Sequence, residues 1–140
     1  MKILIAEDDF TSRIFLQEVL KKLGHAHVAV NGKEAVDAAT AALDAGEPYD
    51  LICLDVMMPE MDGHEALKHI RRTEESRGIM FSRGATVLMT TALDHMHDIM
   101  QAFYGLCDGY LSKPISKGRV LEKLRELDLL GPETASVAGM

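Results

Sequence analysis

The sequence predicts a doubly wound α/β domain, a parallel five-stranded sheet with helices packed on both faces. Strand-like and helix-like segments alternate along the 140 residues, the order that builds parallel pairing through crossover helices. Two strand-like runs, Leu51 to Leu54 and Val87 to Met89, are apolar throughout, as strands buried on both faces must be. Hydrophobic residues make up 47% of the chain, enough for a core on either side of the sheet and too many for a disordered chain.

Each element has its own signal. Ile3 to Ala6 is a short apolar strand. From Phe10 to Leu23, the residues Phe15, Leu16, Val19, Leu20 and Leu23 share one helical face, and Gly24 is a C-cap candidate. A second strand, Ala26 to Val30, ends at the Asn31-Gly32 turn signal. Glu34 to Ala45 is Ala-rich and helical, stopped by Gly46 and Pro48. Tyr49 to Leu54 is the third strand, followed by a loop in which Pro59 disfavours helix. Asp62 and Glu65 have capping-box spacing and open a third helix that runs to about Arg77. Gly78 to Gly84 has no period and is an extended loop.

Ala85 to Thr91 is the fourth strand. Asp94 is placed to cap a fourth helix in which Met96, Ile99, Met100 and Phe103 repeat at helical spacing. Gly109 to Ser112 is the fifth strand; after Pro114, Val120, Leu121, Leu124 and Leu127 line a fifth helix. The chain divides into one domain over residues 1–130 and a flexible C-terminal tail over 131–140.

Composition excludes several functions. Acidic residues outnumber basic ones, 22 to 15, for a formal charge of −7. A nucleic-acid surface or a polybasic membrane segment needs the opposite balance. No apolar run is long enough to span a bilayer, and the first apolar run is too short for a signal peptide, so the expected location is cytoplasmic. Cys53 and Cys107 form neither a disulfide framework nor a zinc pattern, and Cys53 reads as a small buried hydrophobe. The six histidines form no metal set.

In doubly wound sheets, chemistry lies beyond the carboxyl ends of the strands. Strand one ends at Glu7-Asp8-Asp9, strand three at Asp55, strand four at Thr90-Thr91-Ala92 and strand five at Lys113-Pro114. Carboxylates gathered at one edge repel each other unless a cation compensates. Few carboxylates, with room for water and a phosphate, suit Mg²⁺ better than a Ca²⁺ cage. Asp55 stands alone on its strand and is a candidate nucleophile for an aspartyl phosphate. The transferred group's oxygens need partners, which Lys113 and a hydroxyl from Thr91 or Thr90 can supply.

With these residues in place, the chain resembles the receiver domain of two-component response regulators, including the chemotaxis-type single-domain receivers. The matching blocks are Ile3-Leu4-Ile5-Ala6-Glu7-Asp8-Asp9, Leu54-Asp55-Val56-Met57-Met58-Pro59, Thr91-Ala92 and Lys113-Pro114. The interval from Asp55 to Thr91 is longer than the family's usual one, and the excess falls in the Gly78–Gly84 loop.

The resemblance implies a flavodoxin-like (βα)5 three-layer sandwich with strand order 2-1-3-4-5. It implies Asp55 as phosphoacceptor and a Mg²⁺ site made by Glu7, Asp8, Asp55 and the main-chain carbonyl of Met57, with Asp8 the direct carboxylate of the acidic pair and Glu7 acting through water. It gives Thr91 as the switch hydroxyl, Lys113 as the phosphate-binding lysine, Tyr110 as the aromatic that turns inward on activation, and a cis Lys113-Pro114 bond. Glu7 departs from the commoner Asp. Met57 and Leu93 match the variable side chains that tune phosphate loss; both are apolar here and imply a long-lived phosphoryl group.

The implied function is a phosphoacceptor switch that catalyses only its own phosphoryl transfer and dephosphorylation. Its partners would be a sensor histidine kinase or a histidine phosphotransfer protein, and a downstream protein controlled in trans through the surface of the fourth helix, fifth strand and fifth helix. No direct DNA or membrane binding is expected, and the state is a monomer or a phosphorylation-linked dimer. Rival readings are a phosphatase with an aspartyl-phosphate intermediate, a receiver-like module that is not phosphorylated, and a nucleotide-binding fold. Met57 stands where the phosphatase needs an acid, the intact acids, Thr91 and Lys113 count against the second, and no Gly-rich loop follows strand one.

Overall fold

The computed structural model describes residues 1–80, 83–92 and 106–130. The elements run β1 (Lys2–Ala6), α1 (Phe10–Leu20), β2 (His25–Ala29), α2 (Gly32–Asp44), β3 (Leu51–Asp55), α3 (Gly63–Ser76), β4 (Thr86–Ala92), β5 (Gly109–Lys113) and α4 (Lys117–Glu126). The helix expected from Asp94 through Phe103, Leu93 and the tail at 131–140 lie outside the described residues. The five strands are all parallel in the order β2-β1-β3-β4-β5. This is the doubly wound, flavodoxin-like arrangement expected from the sequence, with the order reversing beside β1.

Alternation along the strands divides the core in two. Leu4, Ala6, Ile52, Leu54, Val87 and Met89 face α2 and α3, against Ala35, Ala39, Ala66, Leu67 and Ile70. Ile3, Ile5, Leu51, Cys53, Leu88 and Leu111 face the other way, against Leu16, Val19 and Leu20 of α1 and Val120 and Leu124 of α4. Small alanines on α2 let its backbone approach the sheet. β3 is buried at all five positions, as the middle strand of a three-layer fold must be.

Helix starts follow their caps. Asp9, Asn31, Asp62 and Ser116 each accept a hydrogen bond from a backbone N–H in the first turn of the helix that follows, satisfying donors that have no partner within the helix. α1 stops at Leu20, short of the expected Leu23. Its end is a turn in which the Leu23 N–H donates to the Leu20 carbonyl (2.9 Å), although Leu23 still packs on the core. Of the capping box at Asp62 and Glu65, the Asp62 side chain accepts from the Glu65 N–H at 2.9 Å.

Candidate phosphoryl and metal site

The register of the sheet sets the site. β1 and β3 run side by side, pairing Ala6 with Leu54, so Glu7 and Asp55 leave the sheet as neighbours. β3 pairs Asp55 with Thr90, and β4 pairs Ala92 with Lys113. Parallel strands of similar reach therefore deliver an acid pair, a lone carboxylate, a hydroxyl strand end and a lysine to one edge. Ligand oxygens from Glu7, Asp8 and Asp55 all lie within 4.8 Å of one another.

Glu7 is fully buried and Asp55 is 4% exposed, while Asp8 is exposed. The chain bends after β1, so these adjacent acids face different surroundings. The Lys113 ammonium donates to Glu7 Oε1 at 3.0 Å and sits 3.4 Å from Asp55 Oδ1. Burial pushes the Glu7 carboxyl up to about 7, opposed by the Lys113 hydrogen bond and reinforced by the Asp55 charge. Burial also raises Asp55, against the opposing pull of Lys113. For Lys113, burial acts to lower the ammonium's value, but the Glu7 hydrogen bond and the charges of Asp55 and Glu7 outweigh it and hold it above the ordinary value.

This edge fits a hard divalent cation. Its donors are all oxygen, which suits Mg²⁺. Two buried carboxylates beside a single lysine leave an excess of negative charge in a poorly solvated place. The Glu7 Oε2 atom is buried with no hydrogen-bond partner, so beside the Lys113 contact on Oε1 this carboxylate keeps an unused buried acceptor.

Of the other residues singled out in the sequence, Thr91 and Met57 sit at the strand ends of this edge, and Tyr110 and Cys53 pack into the core. Thr91 is buried at the end of β4, next to Ala92. The Thr90 hydroxyl is buried without a hydrogen-bond partner. Met57, in the loop after Asp55, is 67% exposed, and its backbone N–H hydrogen-bonds the Asp55 carboxylate, lowering its value. Tyr110 pairs with Met89 and packs against the α2–α3 core, its hydroxyl buried near the Cys107 thiol. Burial is the first cause holding that hydroxyl well above its ordinary value, and Cys107 adds to it. The Lys113-Pro114 bond is cis, as expected. Cys53 is buried in the core and its thiol is pushed up to about 12 by burial.

Two features escaped the sequence reading. One is a buried network at the opposite end of the sheet. Arg71 of α3 donates to Glu74 Oε1, the Ala85 carbonyl and the Leu106 carbonyl, each at 2.8 Å, and to Asp108 Oδ2 at 3.1 Å. The other is a contact between His27 Nδ1 and the Tyr49 hydroxyl at 2.6 Å. An Arg and a Glu three residues apart on an amphipathic helix ordinarily read as a solvated pair, and the backbone partners carry no sequence signal. No helix among the described residues is long and apolar enough to cross a membrane.

Comparison with known proteins agrees with this fold. Residues 3–125 match the model of the response regulator receiver domain. The transcriptional regulatory protein TcrA of Mycobacterium tuberculosis is 33% identical over 133 residues, covering 94% of this chain, and the chain spans only 47% of TcrA's length. The two-component response regulator ORR41 of Oryza sativa is 32% identical over 129 residues, covering 89% of this chain and 94% of ORR41. Among solved structures, the receiver domain of Saccharomyces cerevisiae Ssk1, crystallised with the histidine phosphotransfer protein Ypd1, superposes with a TM-score of 0.75 at 28% identity, covering 96% of this chain and 95% of that one. With a parallel β2-β1-β3-β4-β5 sheet and an acidic edge closed by Lys113, the chain belongs to the response regulator receiver domain family.

Proposed function

We propose that this chain is a phosphorylation switch in which Asp55 accepts a phosphoryl group from a phosphohistidine of a partner protein. The carrying observation is a carboxylate 4% exposed at the end of β3, with the Lys113 ammonium 3.4 Å away and two further acids at the same edge. In the transfer, an Asp55 carboxylate oxygen forms the new bond to phosphorus. The bond from phosphorus to the histidine nitrogen breaks, and its electron pair stays on the imidazole. Lys113 binds an equatorial phosphoryl oxygen, and the Met57 N–H helps hold the nucleophile. Glu7, Asp8, Asp55 and the Met57 carbonyl would hold Mg²⁺, which when bound neutralises charge on the transferring oxygens.

After transfer, Thr91 donates to a phosphoryl oxygen, and Tyr110, three residues before Lys113, is held in the inward position its buried hydroxyl already has. The surface of the fourth helix expected after Asp94, of β5 and of α4 (the fifth helix of the sequence reading) then changes shape for a downstream protein acting in trans. The complex of the Ssk1 receiver with Ypd1 supports a histidine phosphotransfer protein or a histidine kinase as the donor. Met57 carries no acid, which separates this switch from a phosphatase with an aspartyl-phosphate intermediate. We assign the receiver unit to residues 1–130 and its place of action to the cytoplasm.

The test is acetyl phosphate with Mg²⁺, followed by intact mass. Wild type gains one phosphoryl group. Asp55→Asn, or wild type with excess chelator, gains none. Labelling that survives Asp55→Asn would refute the assignment.

A further inference from the structure

We propose that Gly32, the first residue of α2, is a positioning residue for the phosphoryl site, acting through the loop that carries Met57. This rests on the phosphoryl-site reading above and adds a residue from an element that supplies no group to that site. The loop from Val56 to Asp62 is tied down at three points. The Val56 N–H donates to the Thr90 carbonyl at 3.0 Å, fixing the loop's start to β4. The Gly63 N–H donates to the Val56 carbonyl at 2.9 Å, closing the loop on itself. The Gly32 N–H donates to the Met61 carbonyl at 3.0 Å, pinning the loop's far side to α2.

The third tie leaves no space for a side chain. A Cβ at Gly32 would lie 2.1 Å from the Met61 carbonyl oxygen and 2.7 Å from its carbon. These are backbone atoms and cannot swing aside, so the loop or the helix must retreat by roughly 1 Å to restore an ordinary contact. Glu60, just before Met61, already holds a positive φ of 66°, a conformation costly for a non-glycine residue. The loop is therefore held by its ties and cannot drift without losing them. By contrast, Gly118 in the first turn of α4 has nothing within 4 Å of its Cβ position, so glycine near a helix start is not a packing requirement everywhere in this fold.

The consequence concerns the Met57 carbonyl, which lies between the tied points. A roughly 1 Å misplacement of a group that meets a reacting centre is costly, and groups that orient metal ligands typically change metal affinity by about 10–100-fold. Replacing Gly32 with alanine displaces the loop from the Met61 end, since the three atoms nearest the new Cβ all belong to Met61. Gly63→Ala is not equivalent, because its Cβ would lie 2.2 Å from the Asp55 carbonyl itself.

The experiment measures Mg²⁺ affinity by calorimetry for wild type, Gly32→Ala and Gly118→Ala, with labelling rates at limiting and saturating Mg²⁺. The expected result is about a 10-fold loss of affinity in Gly32→Ala, a labelling rate that recovers at saturating Mg²⁺, and wild-type behaviour in Gly118→Ala. A folded Gly32→Ala that binds Mg²⁺ as tightly as wild type overturns the positioning role alone, whereas wild type that binds no Mg²⁺ overturns the metal-site reading as well. Coupling is reciprocal, so the wild type gives a second readout that does not depend on the variant folding. Saturating Mg²⁺ should slow hydrogen exchange of the Gly32 amide severalfold relative to amides of α4, and no selective slowing overturns the proposal.

Discussion

Replacing Arg71 with leucine should destabilise the fold by about 3 kcal/mol, the cost of stranding a buried charge. The Arg71 side chain is 8% exposed and that of Glu74 5%, so water cannot take over when the guanidinium goes. Glu74 keeps one backbone donor, the Ala85 N–H at 2.7 Å on Oε2, but Oε1 loses Arg71. The Ala85 and Leu106 carbonyls each lose the Arg71 donor as well. Removing one partner of such a pair costs about 3–5 kcal/mol, and the apolar surface of the new leucine offsets part of that. The loss is a large share of the roughly 5–15 kcal/mol that holds a domain of this size. Urea unfolding measures it as a lower midpoint at unchanged slope. The double variant Arg71→Leu with Glu74→Gln removes the stranded charge but keeps an acceptor for Ala85, and should recover about half of the loss. The exposed pair Lys21–Glu18, at 58% and 64% exposure, is the contrast: Lys21→Ala should cost less than about 0.5 kcal/mol. A cost for Arg71→Leu near that of Lys21→Ala would refute the claim that the network is desolvated.

Two further outcomes follow from the site. Lys113→Met removes the ammonium that hydrogen-bonds Glu7 and sits 3.4 Å from Asp55, so the metal-free protein should melt lower and Mg²⁺ should raise its melting temperature by more than it does in wild type; equal increments in a thermal-shift series would contradict this. Met57→Asn, alone and combined with Leu93→Glu, puts polar groups at the two positions that the family resemblance ties to phosphate loss and should shorten the lifetime of phosphorylated Asp55; an unchanged decay of the phosphorylated mass would end that reading.

The architecture was legible in the sequence because burial on one face leaves a periodic apolar pattern and burial on both faces leaves an unbroken apolar run. Leu51 to Leu54 could read as a central strand since every side chain there is enclosed, whichever face it points to. Helix boundaries were less legible for a physical reason. Leu23 belongs to the apolar stripe of α1 and does pack on the core, yet α1 has already ended at Leu20. Periodicity reports which residues are buried, and a turn can bury a leucine as well as a helix can. The sequence pattern starts α2 at Glu34, two residues late, for a similar reason: Gly32 has poor helix propensity, and its reason for being there is the Met61 backbone, which no side-chain pattern displays.

The site divides along the same line. Glu7, Asp8, Asp55 and Lys113 stood out because they are charged side chains at the ends of apolar strands, and the parallel sheet had to bring those ends together. Strand alternation already makes the adjacent acids unequal; what the residue types leave open is which one is enclosed, and it is Glu7 that is fully buried and bound to Lys113 while Asp8 is exposed. That depends on how the chain turns after Ala6, where the Glu7 N–H continues the β1–β2 ladder to the Ala29 carbonyl at 3.0 Å. One more rung of the ladder carries Glu7 inward and leaves its neighbour outside. The Arg71 network was hidden by the same kind of partner, carbonyls 14 and 35 residues away in the chain. In this fold side chains announce where the chemistry gathers, and backbone hydrogen bonds decide which of them is enclosed.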